Sequence, residues 1–328
     1  MKISKLASIF FCLLTFQAYG QAYDFIVDGK GSGDFETIQA AIDQVPVFRK
    51  KETSIFIKNG VYKEKLTIPQ NRENITLIGE SSEKTVISFD DFASKKNRFG
   101  ENLGTSGSSS VYIYANDFTA KSLTFENSFG AGSQAVAVLV SGDRVIFDNC
   151  RFLGFQDTLY PKKEGSRQYY KNCYIEGATD FIFGWATAVF EDCEIFSRKG
   201  GKYITAASTN KADDFGFVFI NCKLTSDAPD QSVYLGRPWR PDAKTVYLSC
   251  EFGQHIHPEG WHNWNKPERE QTAFYAEFNC FGPGAGDQQR VKWSHKLSSR
   301  EMVFYRFKYI FDDWVPNTES VLFKSNTN

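Results

Sequence analysis

The chain has no surplus of charge of either sign. Its 38 Lys and Arg residues against 39 Asp and Glu leave a formal net charge of -1 over 328 residues. Neither sign gathers into a long run, so the basic footprint that nucleic acid demands is missing. Beyond the first 20 residues no apolar segment approaches the roughly 20 residues that a membrane-crossing helix needs. There is no CxxC pair to give zinc its usual ligand spacing, and no GxSxG elbow to carry a serine nucleophile. Gly29, Gly31 and Gly33 do not make a nucleotide loop, because GxGxxG spacing would need glycine where Asp34 and Glu36 stand. His255 and His257 are close in sequence, but no recurring acidic or cysteine ligand accompanies them. No metal and no cofactor are therefore expected.

What the chain does contain is aromatic and repetitive. Phe, Tyr and Trp make up 16% of it, with 31 Phe and 15 Tyr, a share that suits β-structure and a carbohydrate-facing groove equally. At the N-terminus Lys2 and Lys5 precede an apolar run from Leu6 to Phe16 and then the small residues Ala18 and Gly20. This is the pattern of an export signal cleaved near Gly20, so residues 1-20 are expected to be removed. The mature part, 21-328, is expected to be one domain, acting as a monomer outside the membrane, secreted or periplasmic.

Six cysteines follow the export segment, and five of them sit in look-alike phrases: FDNCRF, YKNCYI, FEDCEI, FINCKL and YLSCEF. Apolar residues flank each cysteine, and strand alternation would turn them inward together. A buried ladder of thiols is the expectation, with disulfides between neighbouring strands as the alternative. The spacing of these phrases, about 20 to 30 residues with loops of Gly, Asn and Asp, predicts an all-β fold, a single-stranded right-handed parallel β-helix. One helical pattern stands near the start, where Ile38, Ala41, Ile42 and Val45 follow Thr37 and stop at Pro46. It reads as a short helix capping the open end of the solenoid. Residues 98-110, rich in Gly, Ser and Asn, read as a loop, and the repeat fades beyond Gly282 into a tail packed outside.

Two repeats, NCRFLGFQD at 149-157 and NCYIEGATD at 172-180, end in aspartate seven residues after the cysteine. In a solenoid, equal phase places Asp157 and Asp180 one above the other at the inter-strand spacing of roughly 4.8 Å. Two carboxylates that close tend to divide into one acid and one anion. Aligning Ser128 with Cys150 puts Gln134 opposite Gln156, so two amides flank the pair as candidate oxyanion donors. Asn and Gln ladders are also ordinary features of solenoids. Arg237 in YLGRPW is a candidate partner that would hold Asp180 ionised. Trp239 in the same phrase, and Tyr160, Phe183 and Trp185 near the aspartates, are candidates either for a sugar-facing groove or for packing.

Together the phrases GVYKEKL at 60-66, QAVAV at 134-138, GFQDTLY at 154-160, DFIFG at 180-184 and LGRPW at 235-239 resemble the pectin methylesterase (pectinesterase) family. The resemblance runs along nearly the whole mature chain. It implies a right-handed parallel β-helix that hydrolyses methyl esters of galacturonate units without a metal, on methyl-esterified homogalacturonan. It also implies that Asp157 is the proton donor, Asp180 the nucleophile, Gln156 and Gln134 the oxyanion stabilisers, Arg237 the partner of the nucleophile and Trp239 a sugar platform. Ser110 stands where many members carry threonine and is implied as a minor substrate contact. TAASTN at 205-210 replaces the family's common TAQGR. Rival readings of the same carboxylates are a retaining glycosidase, a lyase and a non-catalytic polysaccharide-binding scaffold.

Overall fold

The protein is described here by a computed structural model covering residues 23-286 and 289-316. The expected export segment, 1-20, lies outside the described residues. Successive turns of the chain lay their strands into three parallel sheets. Sheet A has eleven strands, from Phe25–Val27 to His295–Lys296; sheet B has eight, from Gly60–Lys63 to Glu251–Phe252; sheet C has seven, from Leu66–Ile68 to Tyr234–Gly236. This is the predicted single-stranded parallel β-helix.

Its interior is a set of stacked ladders. In sheet A the register aligns Phe147, Tyr170, Phe190, Phe219 and Tyr247. Their rings stack at centroid separations of 4.9, 4.6, 4.6 and 4.4 Å along that order. The cysteines form the neighbouring ladder at the entrance to sheet B. All six are free thiols, five of them buried. Their Sγ atoms donate to backbone carbonyls, Cys150 to Ala120 at 3.4 Å and Cys222 to Phe190 at 3.3 Å among them. Burial pushes the thiols of Cys150, Cys193 and Cys250 well above their usual range, which leaves them inert as nucleophiles.

Simple alternation does not carry the chain through the cysteine phrases. The aromatic of each phrase stands three residues before the cysteine, yet Phe147, Cys150 and Phe152 are all buried. The residue just before the cysteine takes a left-handed conformation in every coil: φ is 53° at Asn149, 51° at Asn172, 53° at Asp192, 53° at Asn221 and 53° at Ser249. That residue bends sheet A into sheet B and resets the alternation. Asn and Asp tolerate this conformation because their short side chains bond locally, which explains the recurrent NC and DC pairs.

The capping helix and the outer tail lie as expected. The helix Ile38–Gln44 buries Ile38, Ala41 and Ile42, and the Thr37 side chain accepts from the Ala40 N–H at its start. Past the last coil, the segments Glu301–Tyr305 and Phe307–Ile310 cover the outer face of sheet A. There Tyr305, Phe307, Ile310 and Phe311 pack on Tyr169, Val189, Val218 and Val246. Sheet C keeps an outward face bearing the predicted site.

Candidate active site

The outward face of sheet C is organised by rows of equal register. One row runs Gln134, Gln156, Thr179 through isolated parallel bridges, so Asp157 and Asp180, each one residue on, share a phase. Gln134 reaches this row by a route that differs from the sequence alignment. Leu123, not Ser128, stands opposite Cys150, since Arg151 pairs with Thr124 and its N–H donates to the Leu123 carbonyl. The turn at 128-133 takes up the excess residues and brings Gln134 back into line.

Both aspartates have left-handed backbones, φ 66° at Asp157 and 51° at Asp180. Between Thr179 and Ile182 the register with the next strand slips, an irregularity that contains Asp180. A bulge of this kind bends a strand and re-aims a side chain. Here it turns Asp180 out of the ladder toward the coil two beyond its own. There Arg237 meets it with two bonds, Nε to Oδ1 at 2.9 Å and Nη2 to Oδ2 at 2.6 Å. The strand Tyr234–Gly236 aims that arginine, and its own N–H is fixed to the Thr205 carbonyl at 2.9 Å.

The two carboxyls are nearly enclosed, 8% and 6% exposed at Asp157 and Asp180, but their surroundings differ. Burial, and next the charge of Asp180, drive the Asp157 carboxyl well above its usual range, with Arg237 opposing. Asp180 is raised by burial while its hydrogen bonds and ion pair with Arg237 pull the other way. Arg237 therefore favours the charged form of Asp180, whereas burial and the neighbouring charge favour the protonated form of Asp157. No described side chain bonds the Asp157 carboxyl. The Gln134 and Gln156 amides are likewise without protein partners among the described residues, so their donors are free for a ligand.

These groups meet in a cleft of about 200 Å³ lined by Gln134, Gln156, Asp157, Asp180, Phe183, Arg237 and Trp239. Three further liners, Thr105, Ala206 and Trp264, escaped the sequence reading. Ala206 pairs with Phe183, on the strand that lies between the one carrying Asp180 and the one preceding Arg237. Sequence repetition alone pointed toward that register row, whereas no periodic cue marks Thr105 or Trp264. Tyr160 lies beneath the cleft, stacked on Phe183 at 4.0 Å, and Trp239 packs against Phe183 at 5.9 Å and Trp185 at 6.1 Å. Phe183 and Trp239 therefore face the cleft, and Tyr160 supports them. Ser110 stands apart: it is fully buried, and its hydroxyl donates to the Phe89 carbonyl at 3.5 Å. A larger groove of about 510 Å³ near the last coil, lined by Glu277, Arg290 and His295 among others, holds none of these groups.

The same chain-wide pattern occurs in known proteins. The pectinesterase family profile matches residues 24-311. Pectinesterase 31 of Arabidopsis thaliana is 42% identical over 281 residues, 84% of this chain and 88% of that protein. The solved pectin methylesterase from carrot is 31% identical with a TM-score of 0.81, covering 90% of this chain and 94% of that one. A pectin methylesterase solved in complex with a hexasaccharide is 33% identical with a TM-score of 0.80, covering 92% of this chain and all of that one. With the coiled architecture matched from end to end and relatives of this identity spanning most of its length, the chain belongs to the pectinesterase family.

Proposed function

We propose that Asp180 is the nucleophile and Asp157 the acid and base of a methyl-ester hydrolysis carried out in the cleft of sheet C. The chain is a carboxylic ester hydrolase that removes methyl esters from galacturonate units of pectin. The observation that carries the residue assignment is the asymmetry of the pair: Asp180 is held by two bonds to Arg237, whereas Asp157 has none and keeps its proton.

In the first half-reaction an Asp180 oxygen attacks the C6 carbonyl carbon of a methylated galacturonate. The carbonyl π electrons move to oxygen, and the Gln134 and Gln156 amides donate to that oxyanion. As the oxyanion collapses, the bond to methoxide breaks and Asp157 passes its proton to the leaving oxygen, so methanol departs. The acyl group remains on Asp180 as a mixed anhydride. In the second half-reaction Asp157, now a carboxylate, takes a proton from water as the water attacks the same carbonyl carbon. Collapse returns Asp180 as a carboxylate and leaves a galacturonic acid, which gives its proton to solvent to become galacturonate; Asp157 is again protonated. Arg237 holds the attacking carboxylate in place and offsets its charge before attack and after release.

Trp239 and Phe183 supply apolar faces for sugar rings, in keeping with the hexasaccharide held by the solved relative. The protein is expected to work as an exported monomer, its export signal being residues 1-20. Methanol release from highly methylated pectin, with de-esterified pectin as control and reducing ends counted in parallel, tests the activity. Methanol without new reducing ends supports the esterase; new reducing ends would give the site to glycosidic cleavage. Size-exclusion mass and the N-terminal residue of the exported protein test the rest.

A further inference from the structure

Arg237 is gripped from both sides. Its guanidinium carbon lies 3.8 Å from the centroid of the Tyr203 ring and 3.6 Å from that of Trp264. Two rings cannot both occupy one face of a planar cation at such distances, so the guanidinium is the middle layer of a three-layer stack. Its edge remains for Asp180, which takes both of its forward bonds.

The two rings reach this stack by different routes. Tyr203 opens the strand Tyr203–Ala207 and stands in register with Tyr234, on which it stacks at 5.5 Å. Trp264 comes from a loop with an uncommon backbone: φ is 62° at Trp264 and 54° at Asn265. A left-handed tryptophan is a sterically costly residue that persists only when its surroundings fix it. Three bonds do so. The Trp264 N–H donates to His262 Nδ1 at 3.0 Å, the Asn265 N–H to Asn263 Oδ1 at 2.9 Å, and Asn263 Nδ2 to Glu270 Oε1 at 2.6 Å. Strain is thus maintained at the one place where it lays an indole on the arginine.

We infer that Tyr203 and Trp264 form an aromatic clamp of positioning residues that locks Arg237 in its two-bond grip on Asp180 and keeps water off both faces of the guanidinium, so that Asp180 stays ionised although buried. A flexible, hydrated arginine would lose part of its hold on the carboxylate. A stacked one is oriented in advance, and its charge acts through a poorly screened path. The charged and titratable groups facing this unit are Asp157, Asp180, His262 and Tyr275. His262 is held toward its neutral form by burial and by Arg237, which keeps its Nδ1 free to accept the Trp264 N–H. The inference rests on the assignment of Asp180 as nucleophile.

The test uses the full-length mature enzyme and follows kcat, KM and the pH dependence of kcat on methylated pectin. Tyr203 is the cleaner probe because it does not line the cleft, whereas Trp264 does. Tyr203→Leu is expected to lower kcat by about tenfold, within the range of a cation–π contact, and to leave KM nearly unchanged. It should also shift the acid limb of the kcat profile to higher pH, because a less firmly paired Asp180 takes up its proton sooner. Tyr203→Phe keeps the ring and should restore both. Trp264→Leu should shift the acid limb in the same direction and raise KM as well, with Trp264→Phe intermediate; it carries the test if Tyr203→Leu does not fold, and the two phenylalanine variants carry it if neither leucine variant folds, through the small Trp264→Phe shift against none for Tyr203→Phe. An unmoved acid limb in folded variants that lack or weaken a ring overturns the clamp. Asp180→Asn run beside them separates the two claims: if it is inactive while the ring variants behave as wild type, the clamp fails alone, and if it turns over normally, the nucleophile assignment fails first.

Discussion

The interior of this solenoid and the outer face of sheet C are built from the same coils, yet they use repetition in opposite ways. Inside, each coil supplies an equivalent part: an aromatic to one ladder, a cysteine to the next, and an Asn, Asp or Ser bend between them. Outside, successive coils supply different parts: Gln134, then Gln156 and Asp157, then Asp180, then Ala206, then Arg237. The backbone follows the same division, with regular pairing in sheet A and a register slip at Asp180 in sheet C. Sameness within the coil builds the rod. Difference between coils builds the chemistry.

The sharpest way to break that contrast is to change one outer residue and ask whether the rod notices. Asp180→Asn should lower methanol release by on the order of 10⁴-fold or more, as expected when a covalent nucleophile is lost. Circular dichroism should be unchanged. Next in size is an inner residue: Phe190→Ala removes a fully buried ring from the aromatic ladder and should cost about 3–5 kcal/mol of stability. Chemical denaturation measures it, and kcat of the molecules that remain folded should stay near wild type. Gln156→Ala removes one proposed oxyanion donor and should lower kcat by about 10²–10³-fold with little change in stability.

The smallest effect has the opposite sign. Because burial and Asp180 raise the Asp157 carboxyl well above its unfolded value, the folded state holds that proton more tightly than the unfolded chain. This favours folding at low pH, and the advantage is lost as pH rises from the unfolded value through the folded one. Asp157→Asn abolishes the loss. Thermal melts should place the variant above wild type at neutral pH, with the difference shrinking toward the pH of an ordinary carboxylate. An inactive enzyme that is also more stable is the signature of a site kept at the expense of the fold.

Legibility in the sequence follows the same division. The solenoid and the aspartate pair could be read because repeated phrases carry phase, and phase fixes position along a parallel ladder; the capping helix could be read because Ile38, Ala41, Ile42 and Val45 keep helical spacing. Arg237 and Trp239 were candidates from the phrase YLGRPW, and the resemblance carried by LGRPW supplied their implied roles. The residues that were missed depend on departures from the repeat. Ala206 matters because a register slip sets it opposite Phe183, and Trp264 matters because a left-handed loop delivers its indole to Arg237. Ser110 shows the converse: a position aligned with the family's threonine is closed off inside the coil.

The division of labour between the two carboxyls is tested most directly by an ester whose leaving group needs no proton. On a galacturonate ester of a low-pKa alcohol, Asp157→Asn should still release one equivalent of alcohol per enzyme in a rapid burst, because Asp180 can attack and the leaving group departs unaided. Its slow phase should be impaired, since no base activates water, and Asp180→Asn should give no burst. A burst from Asp180→Asn, or its absence from folded Asp157→Asn, would contradict the assignment of acid and nucleophile.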